Sequence, residues 1–304
     1  MSKENTAVTK KKIKRCKEDV VFDAACFIIL TLVLFVVAYP LYWVIISSIS
    51  APSAVSSGKV LLHPIGFTLK GYAEVFKNDQ VMRGFLNSLI ITFCGVMVNL
   101  IVTLPTSYAL SRSNFSGKKP ITIFYLITMF FGGGLIPTYL VIQRLQMLNT
   151  IWALILPGCL SVYNMIVART FFKSNISEEL YEAAEIDGCT QARFFFQIAL
   201  PLSKAIIAIL VLYYGVGHWN SYFSALVYIS DKAKYPLQLV LRNILITNQT
   251  ALSQTATTAA ARAALQEKQQ LIDVMKYSLI IISSIPVLVM YPLVQKHFVK
   301  GVMI

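Results

Sequence analysis

The residues best able to make specific interactions in this 304-residue chain are five carboxylates that lie close together. Only 14 Asp and Glu occur in the whole sequence, and five of them fall between positions 178 and 187. They are Glu178, Glu179, Glu182, Glu185 and Asp187. Because the rest of the chain is basic and apolar, this cluster marks a surface that meets water or another protein.

No pattern in the sequence indicates covalent chemistry, a metal site or a bound nucleotide. The sequence contains no paired carboxylates of the kind that support an enzyme, no His-Glu-x-x-His helix and no serine-nucleophile motif. None of the five cysteines has Cys-x-x-Cys spacing. Gly58-Lys59 and Gly117-Lys118 lack both the earlier glycine and the following hydroxyl of a phosphate-binding loop. We therefore predict no catalytic residue, no metal and no cofactor in this chain, and a nucleotide-driven step would need a separate subunit.

The composition is that of an integral membrane protein. Hydrophobic residues make up 56% of the chain and charged residues 13%, whereas a soluble domain carries about 25% charged residues. The formal net charge of +13 does not indicate nucleic acid, because the basic residues form no single patch. Many of them lie at the ends of apolar runs, as expected next to membrane lipid.

Six apolar runs are long enough to cross about 30 Å of hydrocarbon as helices. We therefore predict an all-α integral membrane protein with six transmembrane helices. The first run is too long for a signal peptide and is expected to be retained as a span. The predicted spans lie near 22–48, 85–110, 121–143, 150–171, 204–229 and 277–297.

The orientation follows from the basic residues of the N-terminus. The segment 1–21 carries seven Lys and Arg, so it is predicted to be a cytoplasmic tail in front of a transmembrane domain over 22–304. An even number of spans places both termini in the cytoplasm. The segment 177–201, which we call the acidic segment, is then cytoplasmic, and 230–276 is an external loop.

Local signals predict a helix–turn–helix within the acidic segment. Ser177 is a favourable N-cap for a helix over 178–187, and Gly188 suits the left-handed position that ends a helix. Thr190 is placed to cap a second helix over 191–199. Helices that bind anionic lipid surfaces carry Lys and Arg on their polar face, so an acidic helix favours a protein partner.

The acidic segment resembles the EAA signature of permease subunits of bacterial ABC importers. The matching residues are Glu182-Ala183-Ala184, Asp187-Gly188 and Ile198-Ala199-Leu200-Pro201. The Ile-Asp-Gly form is similar to the binding-protein-dependent carbohydrate-uptake group that includes the maltose permease, in its complex-oligosaccharide branch. Further similar segments are Tyr39-Pro40-Leu41-Tyr42, Asn87-Ser88-Leu89, Gly134-Leu135-Ile136-Pro137, His218-Trp219-Asn220 and Gln295-Lys296-His297-Phe298-Val299-Lys300-Gly301.

The resemblance implies a fold, a set of partners and a role for these residues. The fold is that of a type I ABC importer permease, in which a cytoplasmic coupling helix between spans four and five docks on an ATPase subunit. The implied partners are a second homologous permease, two ATPase subunits that hold ATP and Mg, and an extracytoplasmic sugar-binding protein. The implied location is the bacterial cytoplasmic membrane. Docking is carried by Glu182, Ala183, Ala184, Asp187 and Gly188, while Leu200 and Pro201 connect to the fifth span.

Candidates for the substrate path lie at the end of the fifth predicted span. Aromatic faces stack on sugars while amides and hydroxyls bond their hydroxyl groups, so His218, Trp219, Asn220 and Tyr222 suit a sugar. The alternative is that they form an interfacial belt or join helices. Gly132-Gly133-Gly134 before Pro137 should weaken or kink the third helix, and Asn87 and Asn99 are expected to form interhelical hydrogen bonds.

Three other classes of protein are alternatives to an ABC permease for sugars. A gradient-driven secondary transporter usually needs carboxylates inside its spans, and none lies well inside the six predicted here. A permease of the same architecture for another solute, such as an amino acid, is less similar in its Ile-Asp-Gly and His-Trp-Asn segments. A membrane-embedded enzyme or sensor has no supporting motif.

Overall fold

The computed structural model describes residues 17–251 and 259–301, and the regular secondary structure within them is helical. Residues 1–16 of the predicted tail lie outside the described part. The helices, in chain order, are α1 (Lys17–Ser48), α2 (Pro52–Ser56), α3 (Lys70–Lys77), α4 (Asp79–Ser111), α5 (Lys118–Phe130), α6 (Leu135–Arg144), α7 (Trp152–Ile155), α8 (Val162–Asn175), α9 (Glu178–Ile186), α10 (Gln191–Phe194), α11 (Leu200–Leu202), α12 (Lys204–Trp219), α13 (Phe223–Tyr228), α14 (Leu237–Ala251) and α15 (Ala259–Gly301).

Three helices are long and apolar enough to cross a membrane. They are α1, α4 and the part of α15 over Gln269–Pro292. Three pairs of shorter helices pass the same test together, but each pair is bent at a short break. The bends are 114° between α5 and α6, 52° between α7 and α8, and 80° between Gln191–Leu202 and α12. By length and composition, the described residues therefore hold three spans, or up to six if each bent pair counts as one.

The break between α5 and α6 lies at the three glycines of the third predicted span. Gly134 has φ +88°, a backbone conformation that favours glycine. Pro137 lies in the first turn of α6, where its missing N–H has no intrahelical partner to lose. The weakening expected for 121–143 is thus a complete interruption of the helix.

The fifth predicted span differs from the structure in its second half. The fifth predicted span, 204–229, is not one helix, because α12 ends at Trp219 and α13 begins at Phe223. The amide of Asn220 donates to Val216 O at 3.0 Å, and Ser221 Oγ donates to His218 O at 2.7 Å. These bonds satisfy carbonyls of the last turn and so favour ending the helix there.

The predicted external loop 230–276 contains helices. It contains α14 and the first part of α15. Residues 252–258, between these two helices, lie outside the described part of the chain. The Ala and Gln of this region favour helix, and α15 continues from Ala259 into the last predicted span.

Helix α4 lies at the centre of the molecule and packs against α8, α12 and α14. One of its faces is buried and made mostly of small or polar residues spaced three or four positions apart. Small side chains allow close approach of neighbouring helices, and polar ones bond across the contact. The face consists of Gly84, Ser88, Ile91, Gly95, Asn99, Thr103 and Ser107.

Polar side chains of α4 bond to backbone groups of neighbouring elements. Ser88 Oγ accepts the N–H of Leu237 at 2.8 Å, and Ser107 Oγ donates to Met165 O at 3.1 Å. Asn87 was expected to join helices, but its amide donates to Ala233 O in a short 3-10 turn at 2.8 Å. Helix α4 therefore forms hydrogen bonds both with regular helices and with a segment between helices.

A larger residue at Gly71 should destabilise the contact between α3 and α15. A Cβ atom at Gly71 would lie 2.5 Å from Ser278 Oγ and 2.8 Å from Val274 Cγ1. We expect Gly71→Val to lower the free energy of unfolding by about 1–3 kcal/mol through overpacking. Thermal unfolding in detergent micelles measures this, with Gly217→Val as the control because nothing lies within 4 Å of its Cβ position. Equal melting temperatures for the two variants would contradict the prediction.

Candidate functional site

The first half of the acidic segment has the capped helix and turn that the sequence predicts. Ser177 Oγ accepts the N–H of Leu180 at 3.3 Å at the start of α9. After α9 the N–H of Gly188 donates to Glu185 O, and that of Cys189 donates to Ala184 O, both at 2.9 Å. These two bonds, with φ +75° at Gly188, form a Schellman turn. The prediction of a glycine-terminated helix is confirmed.

The second half of the acidic segment is helical but not one regular α-helix. Thr190 Oγ1 accepts the N–H of Arg193 and so caps α10. A π-helical turn over Phe195–Ala199 follows, and then α11. Ser203 marks the bend of 80° before α12. The stretch Gln191–Leu202 therefore runs across the direction of α12.

The predicted docking residues divide into exposed and packed groups. Glu182, Ala183, Asp187, Gly188 and Pro201 are exposed. Ala184 and Leu200 are half-buried and pack against the apolar cluster between α4, α8, α9 and α12.

The exposed face of α9 ends in an uncovered apolar side chain. Ile186 is 86% exposed, whereas Tyr181 on the opposite face is buried. Beside Ile186 lie the exposed carboxylates of Glu182 and Asp187. The outer face thus combines negative charge with one apolar contact, while the inner face holds α9 in place.

An arginine that the sequence analysis did not single out lies beneath α9. The Arg112 side chain is 12% exposed and its Nη2 donates to Glu178 Oε1 at 3.3 Å. Its guanidinium carbon lies 4.2 Å from the ring centre of Tyr181, 5.8 Å from that of Tyr108 and 5.9 Å from that of Phe194. We call these five residues the Arg112 cluster.

The Arg112 cluster joins the end of α4 to both halves of the acidic segment. A cation over an aromatic face contributes about 0.5–2 kcal/mol depending on desolvation, and a part-exposed ion pair about 0–1 kcal/mol. The available sequence signal was a lone arginine just after a predicted span, together with an aromatic residue one helical turn after Glu178. Neither signal shows that the two segments meet.

His218 belongs to a hydrogen-bonded network between helices. Its Nε2 lies 2.7 Å from Asn99 Oδ1, and Asn99 Nδ2 donates to Gly158 O at 2.8 Å. Because the Asn99 amide nitrogen is used by the Gly158 carbonyl, its oxygen accepts, and His218 Nε2 is the donor. The ring packs on Gly95, where a Cβ would lie 2.5 Å from it. Asn99 thus makes the interhelical bonds expected of it.

The other three candidates for the substrate path lie in different surroundings. Trp219 is 2% exposed, and its indole N–H donates to Ser283 O at 2.9 Å, so it packs α12 against α15. Asn220 is exposed, and Tyr222 is 45% exposed. The structure does not bring the four side chains together as one lining. Their role in a substrate path stays a prediction.

Loss of the Asn99 amide should release His218 from its network. In Asn99→Leu, the Gly158 carbonyl and the His218 N–H both lose their partner, which costs about 1–3 kcal/mol of stability. We expect NMR of histidine-15N-labelled protein to show a protected Nε2–H at His218 in the original chain and its loss in Asn99→Leu. Asn220→Leu is the control, since the Asn220 side-chain amide donates to Val216 O in the last turn of α12. A protected Nε2–H that persists in Asn99→Leu would refute the network.

No protein-family model matches this sequence, but several known proteins are similar to it. It is 35% identical to the polygalacturonan/rhamnogalacturonan transport system permease protein YtcP of Bacillus subtilis (strain 168), over 93% of this chain and 96% of that protein. It is 38% identical to LplC of the same organism, over 93% of this chain and 94% of that one. The galactooligosaccharides transport system permease protein GanQ, also from Bacillus subtilis, is 29% identical over 90% of this chain and 92% of its own length.

A solved structure has the same fold along nearly the whole chain. It is the crystal structure of a bacterial ABC transporter involved in the import of the acidic polysaccharide alginate. The two chains superpose with a TM-score of 0.83 at 27% identity, and the match covers 93% of this chain and 99% of that chain.

Proposed function

This chain belongs to the family of ABC transporter permeases for sugars and oligosaccharides, and on that premise we propose how it crosses the membrane and couples to its partners. It is a transport subunit of an importer and not an enzyme. The proposal concerns the number of spans, the ATPase contact, the partner subunits and the cargo.

We propose six spans, with both termini in the cytoplasm of a bacterial cell. The spans are α1, α4, the three bent helix pairs and α15. The apolar length of each pair supports this count, and the basic residues of 1–21 support the orientation. In this arrangement α12 crosses the membrane, and the bend of 80° at Ser203 leaves α10 and α11 along the cytoplasmic surface.

The exposed acidic face of α9 carries the proposal for the ATPase contact. Glu182 and Asp187 offer negative charge, Ala183 leaves room for close approach, and Ile186 offers an apolar contact. An ATPase with a partly basic cleft complements such a face. Closure of two ATPase subunits around ATP and Mg would push α9. For this movement to drive transport, the free energy of docking α9 on the ATPase must differ between the inward-open and outward-open states.

The remaining partners complete the transporter. A second, homologous permease would supply the other half of the pore, and an extracytoplasmic binding protein would deliver the sugar. The carbohydrates in the names of YtcP, GanQ and the alginate importer support an oligosaccharide cargo. Asn220 and Tyr222, which are exposed at the end of α12, are the candidates for contact with it.

The turn at Gly188 should be essential for coupling and not merely for folding. A β-branched residue at φ +75° is strained, so Gly188→Val should reorient the exposed end of α9. We expect uptake and substrate-stimulated ATP hydrolysis by the reconstituted transporter to fall at least about tenfold, with membrane insertion preserved.

A matched control for Gly188→Val exists in the same chain. Gly58 has φ +69°, also has nothing within 4 Å of its Cβ position, and lies after α2 on the proposed external side. Gly58→Val carries the same backbone strain and should leave coupling intact. Equal transport by Gly188→Val and the original chain, or equal loss in Gly58→Val, would refute the ATPase contact.

Mass spectrometry of ligand copurified with the assembled transporter and its binding protein identifies the cargo. An oligosaccharide supports the proposal, and an amino acid or another solute favours the same architecture with a different cargo. Gradient-driven uptake by this chain alone, without an ATPase, would establish a secondary transporter instead.

A further inference from the structure

We propose that Arg112 is a positioning residue that makes α9 and α4 move together. This inference rests on the proposed function, because it assigns a coupling role to a residue outside the acidic segment. The motivating observation is that one nearly buried guanidinium contacts groups on α4, α9 and α10 at the same time.

The backbone that carries Arg112 is held in place. Its N–H donates to Ala109 O at 3.3 Å, so it caps the end of α4. Lys118 Nζ, at the start of α5, donates to Arg112 O at 3.2 Å and to Ser113 O at 3.0 Å. The guanidinium therefore extends from a turn that is fixed relative to both α4 and α5.

The first turn of α9 is bonded directly to that turn. Glu178 Oε1 accepts from Arg112 Nη2 at 3.3 Å and from Ser113 Oγ at 2.5 Å. This pair spans two elements that are distant in sequence. By contrast, the pairs Lys77–Glu74, Lys234–Asp231 and Lys276–Asp273 each join residues three positions apart.

Aromatic packing also joins these elements, because Tyr181 on α9 and Tyr108 on α4 both pack against Phe194 on α10. A cavity of about 300 Å³ lies between the turn at Asn114 and Phe115 and the helix α10, and Arg112 forms part of its lining. Across this space the planar guanidinium faces the ring of Tyr181, a geometry that a lysine does not reproduce. Arg112 thus adds a charged contact to the aromatic packing between α4, α9 and α10.

Helix α4 connects this junction to the interior of the molecule. Asn99, the partner of His218, lies about 20 Å further along α4 at about 1.5 Å per residue. A displacement of α9 that is passed to α4 through Arg112 therefore reaches the network at the end of α12. Without the guanidinium, the link between α9 and the end of α4 loses this charged contact, and a displacement of α9 is passed to α4 less completely.

The test uses the assembled transporter in proteoliposomes, after its ATP-dependent uptake has been established. Arg112→Met keeps an unbranched side chain and removes the charge. We expect assembly and basal ATP hydrolysis to be retained, while uptake and substrate-stimulated hydrolysis fall about tenfold. Arg112→Lys should recover only part of the loss.

Lys173→Met is the matched control. It removes a positive charge from an exposed position in the last turn of α8, on the same proposed cytoplasmic side as Arg112. Coupling should be unchanged in this variant. The proposal would be overturned if uptake and substrate-stimulated hydrolysis in Arg112→Met equalled those of the original chain. It would also be overturned if Lys173→Met lost them as well. Failure of both Arg112→Met and Arg112→Lys to assemble with the ATPase would also overturn it, since the role would then be structural only.

A distance measurement separates this inference from the proposed function. Spin labels at Glu179 on α9 and Asn114 beside the end of α4 report whether the two elements move together. In the original complex, ATP should leave this distance unchanged while uptake proceeds, and in Arg112→Met the distance should change on ATP addition. A distance that changes equally in both overturns the role of Arg112, whereas absence of ATP-driven uptake in the original complex rejects the proposed function itself.

Discussion

Backbone N–H and C=O groups inside hydrocarbon have no water to bond with, and the arrangement of this chain depends on that constraint. Three apolar helix pairs are interrupted between α5 and α6, between α7 and α8, and before α12. Such breaks are tolerated where protein groups satisfy the freed backbone. At the second break the amide of Asn99 donates to Gly158 O, and Tyr214 Oη accepts the N–H of Ser161 at 3.3 Å.

Helix α4 supplies several of the side chains that bond to backbone groups of neighbouring elements. Its buried face is narrow because it is built from Gly, Ser, Thr and Asn, so α8 and α12 approach closely and polar groups meet across the contact. Thr103 Oγ1 and Tyr214 Oη, for example, lie 2.7 Å apart in the interior. The same helix ends at Arg112, on the side of the acidic segment. Packing, backbone satisfaction and the proposed coupling contact therefore share one rigid element.

Much of the acidic segment could be predicted from the sequence, because caps and turns depend on residues a few positions apart. Ser177, Gly188 and Thr190 each act within about four residues of the backbone groups they bond. Span lengths were less predictable. The apolar run 204–229 continues past Trp219, so its hydropathy predicts a longer helix. The helix ends at Trp219 because Asn220 and Ser221 bond to carbonyl oxygens of the last turn of α12, and hydropathy carries no information on such bonds.

The candidate substrate path shows where local information stops. His218, Trp219, Asn220 and Tyr222 are near one another in sequence and have the residue types of a sugar site, yet two of them are held in contacts with distant helices and two are exposed. By itself, the sequence determined the membrane class, the family resemblance and the capped acidic helix, since these depend on composition and short-range spacing. Only the tertiary structure decided that Arg112 meets Glu178 and that Asn99 meets His218, because those contacts join residues 66 and 119 positions apart.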